Sequence, residues 1–206
     1  MALTNYTNLK TSVASYLGRS DLTSVIPDFI TLAELRLQRQ LRIRQMLETV
    51  TASTTGNDRT VGLPSDFLQM RDLFVQGSPR QVLSYMAPSA FSRNSRADET
   101  GKPQFYTLRA SELVLAPYPD TAYTLEMLYY AKPAVLSDSN PSNAFMANAP
   151  DALLYGALLE AEPYLMNDAR LQVWSSFYEK AILTLSESDE GAEYSGVPLE
   201  IRVASR

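Results

Sequence analysis

The sequence predicts an α+β protein in which the N- and C-terminal segments form a four-helix bundle. An antiparallel β module is inserted between them, and the C-terminal tail is extended. Apolar residues recur every three or four positions near both ends of the 206-residue chain, which is typical of helices. From about residue 47 to 135, short β-rich runs are separated by turn-forming residues. We therefore expect the bundle at 1–48 and 149–188, the β module at 49–148 and the tail at 189–206.

The first helix is indicated by apolar residues at helical spacing, and Gly18 is placed to end it. A second, longer helix is expected from Ser24 or Pro27 to about Met46, because proline suits the first turn of a helix. The apolar positions of the first helix are Tyr6, Leu9, Val13, Tyr16 and Leu17.

The second helix has apolar residues on two opposite sides, so two different surfaces must cover it. One stripe consists of Ile26, Ile30, Ala33, Leu37 and Leu41. The opposite patch contains Leu32, Leu35, Ile43 and Met46, with arginines interleaved. Arginine among apolar residues is typical of protein interfaces, although a helix buried inside one domain remains the alternative. We predict a subunit interface formed by Leu32, Leu35, Arg36, Arg39, Arg42 and Ile43.

In the β region, residues 109–111 are expected to form the loop of a hairpin. The stretch 134–150 is a loop by composition. Helix returns at Asp151, Pro163 should kink or divide it, and a last helix carries a wide apolar stripe with Trp174, Phe177 and Tyr178.

The tail begins with an acidic run, Glu187, Asp189 and Glu190, which we interpret as a solvated linker. It ends in apolar residues that alternate with charged ones, the pattern of a single strand. Such a strand either closes the chain's own sheet or adds to the sheet of a partner. Its residues are Val197, Leu199, Ile201, Arg202 and Val203.

The composition excludes several classes of enzyme. The chain has no Cys and no His, so thiol nucleophiles, serine–histidine catalysis and histidine-ligated metals are ruled out. No phosphate-binding glycine motif occurs, and no apolar run is long enough to span a bilayer. We therefore expect no catalytic residues, no cofactor, no metal and no membrane. The net charge of −5 argues against bulk attraction to nucleic acid.

Several segments, in this order and spacing, resemble the head-to-tail adaptor (connector, tail tubular protein A-like) family of tailed bacteriophages, especially short-tailed ones. The resemblance covers about residues 5 to 185. The segments are 33–42 (AELRLQRQLR), 63–67 (LPSDF), 101–106 (GKPQFY), 113–120 (LVLAPYPD), 128–133 (LYYAKP), 151–158 (DALLYGAL) and the helix with Trp174 and Tyr178.

The resemblance implies a structural virion protein that is not an enzyme. It implies a dodecameric ring between the portal and the tail nozzle or tube, assembled in the host cytoplasm, with DNA passing through the lumen. It also implies that the tail strand, from Val197 to Val203, extends along the portal. Two alternatives stay open: a DNA-binding virion or regulatory protein that uses the arginine-rich helix, and a carboxylate-based cell-wall hydrolase.

Overall fold

The computed structural model of the chain describes residues 3–93, 99–165 and 168–193. These residues fall into two compact units. The helical unit contains the described residues of Met1–Gln45 and Pro133–Arg206, and the sheet unit contains those of Met46–Lys132. The tail strand predicted at Val197, Leu199, Ile201, Arg202 and Val203 lies outside the described residues.

Seven α-helices occur in the described parts of the chain, six of them in the helical unit. None of these helices is long and apolar enough to cross a membrane. They are α1 (Tyr6–Leu17), α2 (Ile26–Gln40), α3 (Pro88–Arg93), α4 (Ala144–Asn148), α5 (Pro150–Glu160), α6 (Glu162–Leu165) and α7 (Leu171–Glu193), with a 3-10 turn at Arg44–Met46.

Eight strands form two four-stranded sheets in the sheet unit. One sheet has the order β1-β8-β3-β4 and the other the order β2-β7-β6-β5. Neighbouring strands are antiparallel except for β5 and β6, which are parallel. The strands are β1 (Leu47–Ser53), β2 (Thr60–Gly62), β3 (Phe67–Val75), β4 (Gln81–Val82), β5 (Ser84–Tyr85), β6 (Phe105–Arg109), β7 (Glu112–Ala116) and β8 (Thr124–Ala131).

The four-helix bundle predicted from the sequence is wrong. The fold is α+β, but it consists of seven described helices and two four-stranded sheets. The loop expected at 134–150 contains α4. The helix is divided near Pro163 as expected, since α5 ends at Glu160 and α6 begins at Glu162. The β module is two sheets, and one of its pairings is parallel. Helical periodicity locates helices along the chain, but it does not determine how many share one core.

The packing of the helical unit explains this difference. Six residues of α5 are buried, on several sides of the helix, so α5 is a central helix and not one of four equivalent ones. It packs against α1, α2, α4 and α7. The approach to α2 and α7 is close at Gly156, where an added Cβ would lie 3.1 Å from the Cβ of Ala33 and 3.3 Å from a ring carbon of Tyr178.

The ends of the first two helices follow from local chemistry. Asn5 caps α1 by accepting a hydrogen bond from the N–H of Asn8 at 2.8 Å. Gly18 ends α1 as predicted, in the left-handed conformation at φ 66°. Helix α2 has proline in its first turn as expected, but it ends at Gln40 and not near Met46, because the backbone of Leu41 is extended.

The sheet unit has an apolar core between its strands. The hairpin loop predicted at 109–111 is present, since Arg109 pairs with Glu112 across the β6–β7 turn. The core consists of Val61, Leu73, Val75, Leu83, Tyr106, Leu113, Leu115, Leu125, Met127, Tyr129 and Ala131.

Candidate functional site

The inner side of α2 is part of the core of the helical unit. The stripe predicted from the sequence is buried, with no residue of it more than 3% exposed. Ala33, in the middle of the stripe, contacts Gly156 of α5. The stripe residues are Ile26, Ile30, Ala33, Leu37 and Leu41.

The outer side of α2 leaves apolar side chains in contact with solvent. Leu32 is 46% exposed and Leu35 is 38% exposed. Both line an open depression of about 400 Å³ whose other walls are Arg36, Arg39, Gln40 and Glu160. A depression lined by exposed leucines together with arginines and a carboxylate has the character of a protein-binding surface. We call it the α2 surface.

Arg36 is held in place at one edge of the α2 surface. Its guanidinium forms an ion pair with Glu160 of α5 and lies 5.8 Å from the ring centre of Tyr178 of α7. The Tyr178 hydroxyl donates a hydrogen bond of 2.6 Å to Gln40. Burial raises the pKa of Tyr178, while Arg36 opposes this rise. These contacts connect three helices and give this edge a defined shape.

The other predicted interface residues differ in position. Arg39 is exposed and has no ion-pair partner among the described residues. Arg42 is half-buried and donates to the backbone oxygens of Gln38 and Leu41 at 2.7 and 2.6 Å. Ile43 is only 1% exposed, so the structure does not place it on the surface with Leu32. The reason is that α2 ends at Gln40, and the helical period used to position Ile43 does not apply beyond that point.

The acidic residues that were interpreted as a solvated linker belong to α7, which continues to Glu193. Asp189 accepts hydrogen bonds of 3.1 and 3.2 Å from the backbone N–H of Arg44. The Nε atom of Arg44 lies 3.4 Å from the same carboxylate. The sequence contained no signal for this contact, because the partners are 145 positions apart.

Glu34 is a buried carboxylate on the inner side of α2, with 2% of its surface exposed. It accepts hydrogen bonds from the backbone N–H of Leu136 at 3.2 Å and from the Asn143 amide at 2.6 Å. Burial raises its pKa, and the two hydrogen bonds oppose the rise. Glu34 thus holds the segment before α4 against α2. In the sequence, the position of Glu34 beside Ala33 and Leu37 of the apolar stripe was the feature that could have indicated its burial.

A second group of exposed apolar side chains lies on α7. Val173 is 50%, Phe177 45% and Leu183 60% exposed, whereas Trp174 and Tyr178 are buried. The helical spacing predicts that Phe177 shares an apolar stripe with Trp174 and Tyr178. The structure places it at the edge of that stripe, with its ring 5.2 Å from that of Tyr155. We call the outer side of α7, defined by Val173, Phe177 and Leu183, the α7 surface.

Within the described residues, no group of three or more acidic side chains is arranged to hold a metal ion. The two surfaces consist of exposed leucines, aromatic residues and charged side chains on helices packed around α5. Such surfaces bind other macromolecules through burial of apolar area and charge pairing. The geometry therefore favours an interaction function.

Two comparisons with known proteins add to this description. The model of a family described as SU10 adaptor protein matches residues 4–202 of the chain. None of the curated proteins matches the chain.

Proposed function

The chain belongs to the SU10 adaptor protein family, a family of phage head-to-tail adaptors, and we propose that it forms a ring between the portal and the tail nozzle or tube. The adaptor family predicted from the order of sequence segments is confirmed. Membership also implies a structural protein of the phage virion. In this proposal the ring is not an enzyme and contains twelve copies, as the resemblance implies. It is assembled in the host cytoplasm, and DNA passes through it.

The observation that carries this proposal is the outer side of α2. A helix whose inner stripe is no more than 3% exposed already contributes to the core of its own unit. Its outer leucines, 46% and 38% exposed, are then available for a neighbouring molecule. We propose that Leu32, Leu35, Arg36 and Arg39 belong to a subunit interface, with Arg42 at its margin. A ring built head to tail needs two different patches on each copy.

The arginines between residues 36 and 44 suggested DNA binding as an alternative, and the ion pairs of two of them argue against it. Arg36 is paired with Glu160, and Arg44 with Asp189. An arginine that is already paired releases fewer counterions from DNA and contributes less to binding. With a net charge of −5, we propose that DNA passes the ring without specific binding. Salt-dependent retention of the chain on a DNA column would contradict this.

We also propose that the tail contacts the portal, with Val197, Leu199, Ile201, Arg202 and Val203 in an extended segment. The support is the alternation of apolar and charged residues, which is suited to adding a strand to a partner's sheet. The described part of α7 runs to Glu193, so deletion of residues 194–206 removes no residue of a described helix.

The test is to mix the purified chain with the portal ring of its own virus. The product is examined by negative-stain microscopy and native mass spectrometry. The proposal expects a portal with an added collar, and no collar when residues 194–206 are deleted. A chain that stays separate beside an intact portal would overturn the adaptor role. A collar that forms equally well without residues 194–206 would overturn only the role of the tail.

A further inference from the structure

The α2 surface and the α7 surface carry opposite charges beside their exposed leucines. On α2, Leu35 is followed four residues later by Arg39, and both are exposed. On α7, Leu183 is followed four residues later by Glu187, and both are again exposed. Four residues of α-helix rise about 6 Å, and residues with this spacing lie on one side of the helix. The two leucine–charge pairs therefore have equal spacing and opposite sign.

Neither charge is neutralised by another residue in the described part of the chain. Arg39 and Glu187 have no ion-pair partner among the described residues. Around Leu183 the exposed charged residues are Glu179, Lys180, Glu187 and Glu190, an acidic excess. Around Leu35, Arg36 is neutralised by Glu160, and Asp28 lies two turns towards the start of α2. Arg39 is thus the cation that the α2 surface presents to a partner.

The two surfaces cannot meet within one copy. Tyr178 of α7 faces α2, since it contacts Arg36 and Gln40. Leu183 and Val173 are each five residues from Tyr178, which places them about 140° around the helix in opposite directions. The α7 surface is therefore turned away from α2, and only another molecule can bring Leu183 to Leu35.

We propose that the α7 surface of one copy docks on the α2 surface of the next. Leu183 packs against Leu32 and Leu35, and Glu187 pairs with Arg39, with the two helices running parallel. The proposal rests on the ring assembly proposed above and identifies the partner of the α2 surface as a second copy of this chain. Because the two patches are different, the contact repeats head to tail, which is the type of contact that a ring requires.

The first test uses cysteine cross-linking, because this chain has no native cysteine of its own. Two variants, Leu35→Cys and Leu183→Cys, are mixed in equal amounts, assembled on the portal ring and oxidised. A disulfide forms only where Cα atoms approach within about 7 Å. We expect a cross-linked dimer in the mixture and none with either variant alone. The control replaces Leu35→Cys with Val135→Cys, an apolar position of the same unit that is 54% exposed and so at least as accessible as Leu35, and should give no dimer.

The second test reverses the charges. Arg39→Glu alone and Glu187→Arg alone each place like charges together and should weaken assembly at least about tenfold. A mixture of the two variants restores opposite charges at every contact of an alternating ring, and assembly should recover. The chain carrying both substitutions should also assemble. Urea unfolding followed by the fluorescence of Trp174, the only tryptophan, verifies that each variant is folded.

The outcomes separate this inference from the adaptor role. If the unsubstituted chain does not assemble on the portal, the adaptor role fails and this contact fails with it. If it forms the collar but the paired cysteines give no dimer and the mixed charge variants show no recovery, only the α7-to-α2 contact is overturned. Loss of portal attachment in variants that still form rings would assign the α2 surface to the portal, which also overturns the inference.

Discussion

The helical unit and the sheet unit differ in where they leave apolar side chains. Of the ten large apolar residues exposed in the described chain, eight belong to the helical unit. The sheet unit exposes only Val82 and Tyr85, both on two-residue strands. An antiparallel sheet can bury one face of every strand against a second sheet, whereas a helix packed on a central helix still presents its other side. The helical unit is therefore the one suited to repeated contacts between copies.

The two units also differ in the hydrogen bonding of their buried polar side chains. In the helical unit, Glu34 is matched by donors from Leu136 and Asn143. In the sheet unit, the hydroxyl of Thr107 is buried without a hydrogen-bond partner among the described residues. Tyr129, also in the sheet core, donates to Asp66 at 3.2 Å. The buried carboxylate ties two segments of the helical unit together, whereas the sheet unit depends mainly on apolar packing.

The largest expected effect is at Gly156. Gly156→Leu must displace Ala33 or Tyr178, since even a Cβ would lie 3.1 Å from Ala33. We expect a loss of about 3 kcal/mol in the free energy of unfolding, measured with urea through Trp174 fluorescence. Gly191→Leu on α7 is the matched control, because nothing lies within 4 Å of its added Cβ. Equal stability of the two variants would contradict the close packing of α5.

The next effect concerns Glu34. Glu34→Ala leaves the N–H of Leu136 and the amide of Asn143 without their acceptor, and we expect a loss of about 2 kcal/mol. Glu34→Gln retains one acceptor oxygen and should cost less. Hydrogen exchange of the Leu136 amide should rise in both variants, most in Glu34→Ala. An unchanged exchange rate would show that Glu34 does not hold this segment.

Tyr129→Phe probes the sheet unit in the same way. The change removes the hydrogen bond to Asp66 and should cost about 1 kcal/mol at neutral pH. Burial, with Asp66 nearby, raises the pKa of Tyr129 from 10.0 to about 12. A raised folded-state pKa contributes stability below pH 10 that is lost as the pH rises towards 12. The variant should therefore lose less stability than the original chain over that range in pH-dependent urea unfolding.

The pH dependence due to Glu34 occurs in the acidic range. Its folded-state pKa lies above the ordinary value of 4.5 because of burial, so the folded state holds the proton more tightly than the unfolded state. The stability that this pKa shift contributes is fully present below pH 4.5 and is lost as the pH rises through the raised pKa. The free energy of unfolding of the original chain, relative to that of Glu34→Gln, should therefore decrease as the pH rises. A constant difference from pH 4 to 8 would contradict the raised pKa.

The effect at Thr107 has the opposite sign. Thr107→Val replaces a buried hydroxyl that lacks a partner with a methyl group of similar size, and we expect stabilisation by about 1 kcal/mol. The readout is hydrogen exchange of the β6 and β7 amides. Thr54→Val is the contrast, because the Thr54 hydroxyl accepts a hydrogen bond of 2.8 Å from the N–H of Tyr123, so this change should destabilise the unit.

Patterns of nearby residues were sufficient to predict the family, the inner stripe of α2 and the end of α1. These depend on neighbouring residues: the spacing of Ile26, Ile30 and Ala33 makes one side of a helix apolar, and Gly18 permits a left-handed cap. The prediction for Ile43 was wrong because it assumed that α2 continues to about Met46. The extended backbone of Leu41 ends α2 at Gln40, so the helical period does not apply to Ile43.

Local patterns did not predict the central position of α5, the division of the β region into two sheets or the contact between Arg44 and Asp189. Each depends on segments far apart in the chain, whose relative positions follow from packing and not from local periodicity. Phe177 and Leu183 show the same limit. Both are apolar residues of α7, yet Phe177 lies at the edge of the contact with α5, beside Tyr155, and both side chains remain exposed.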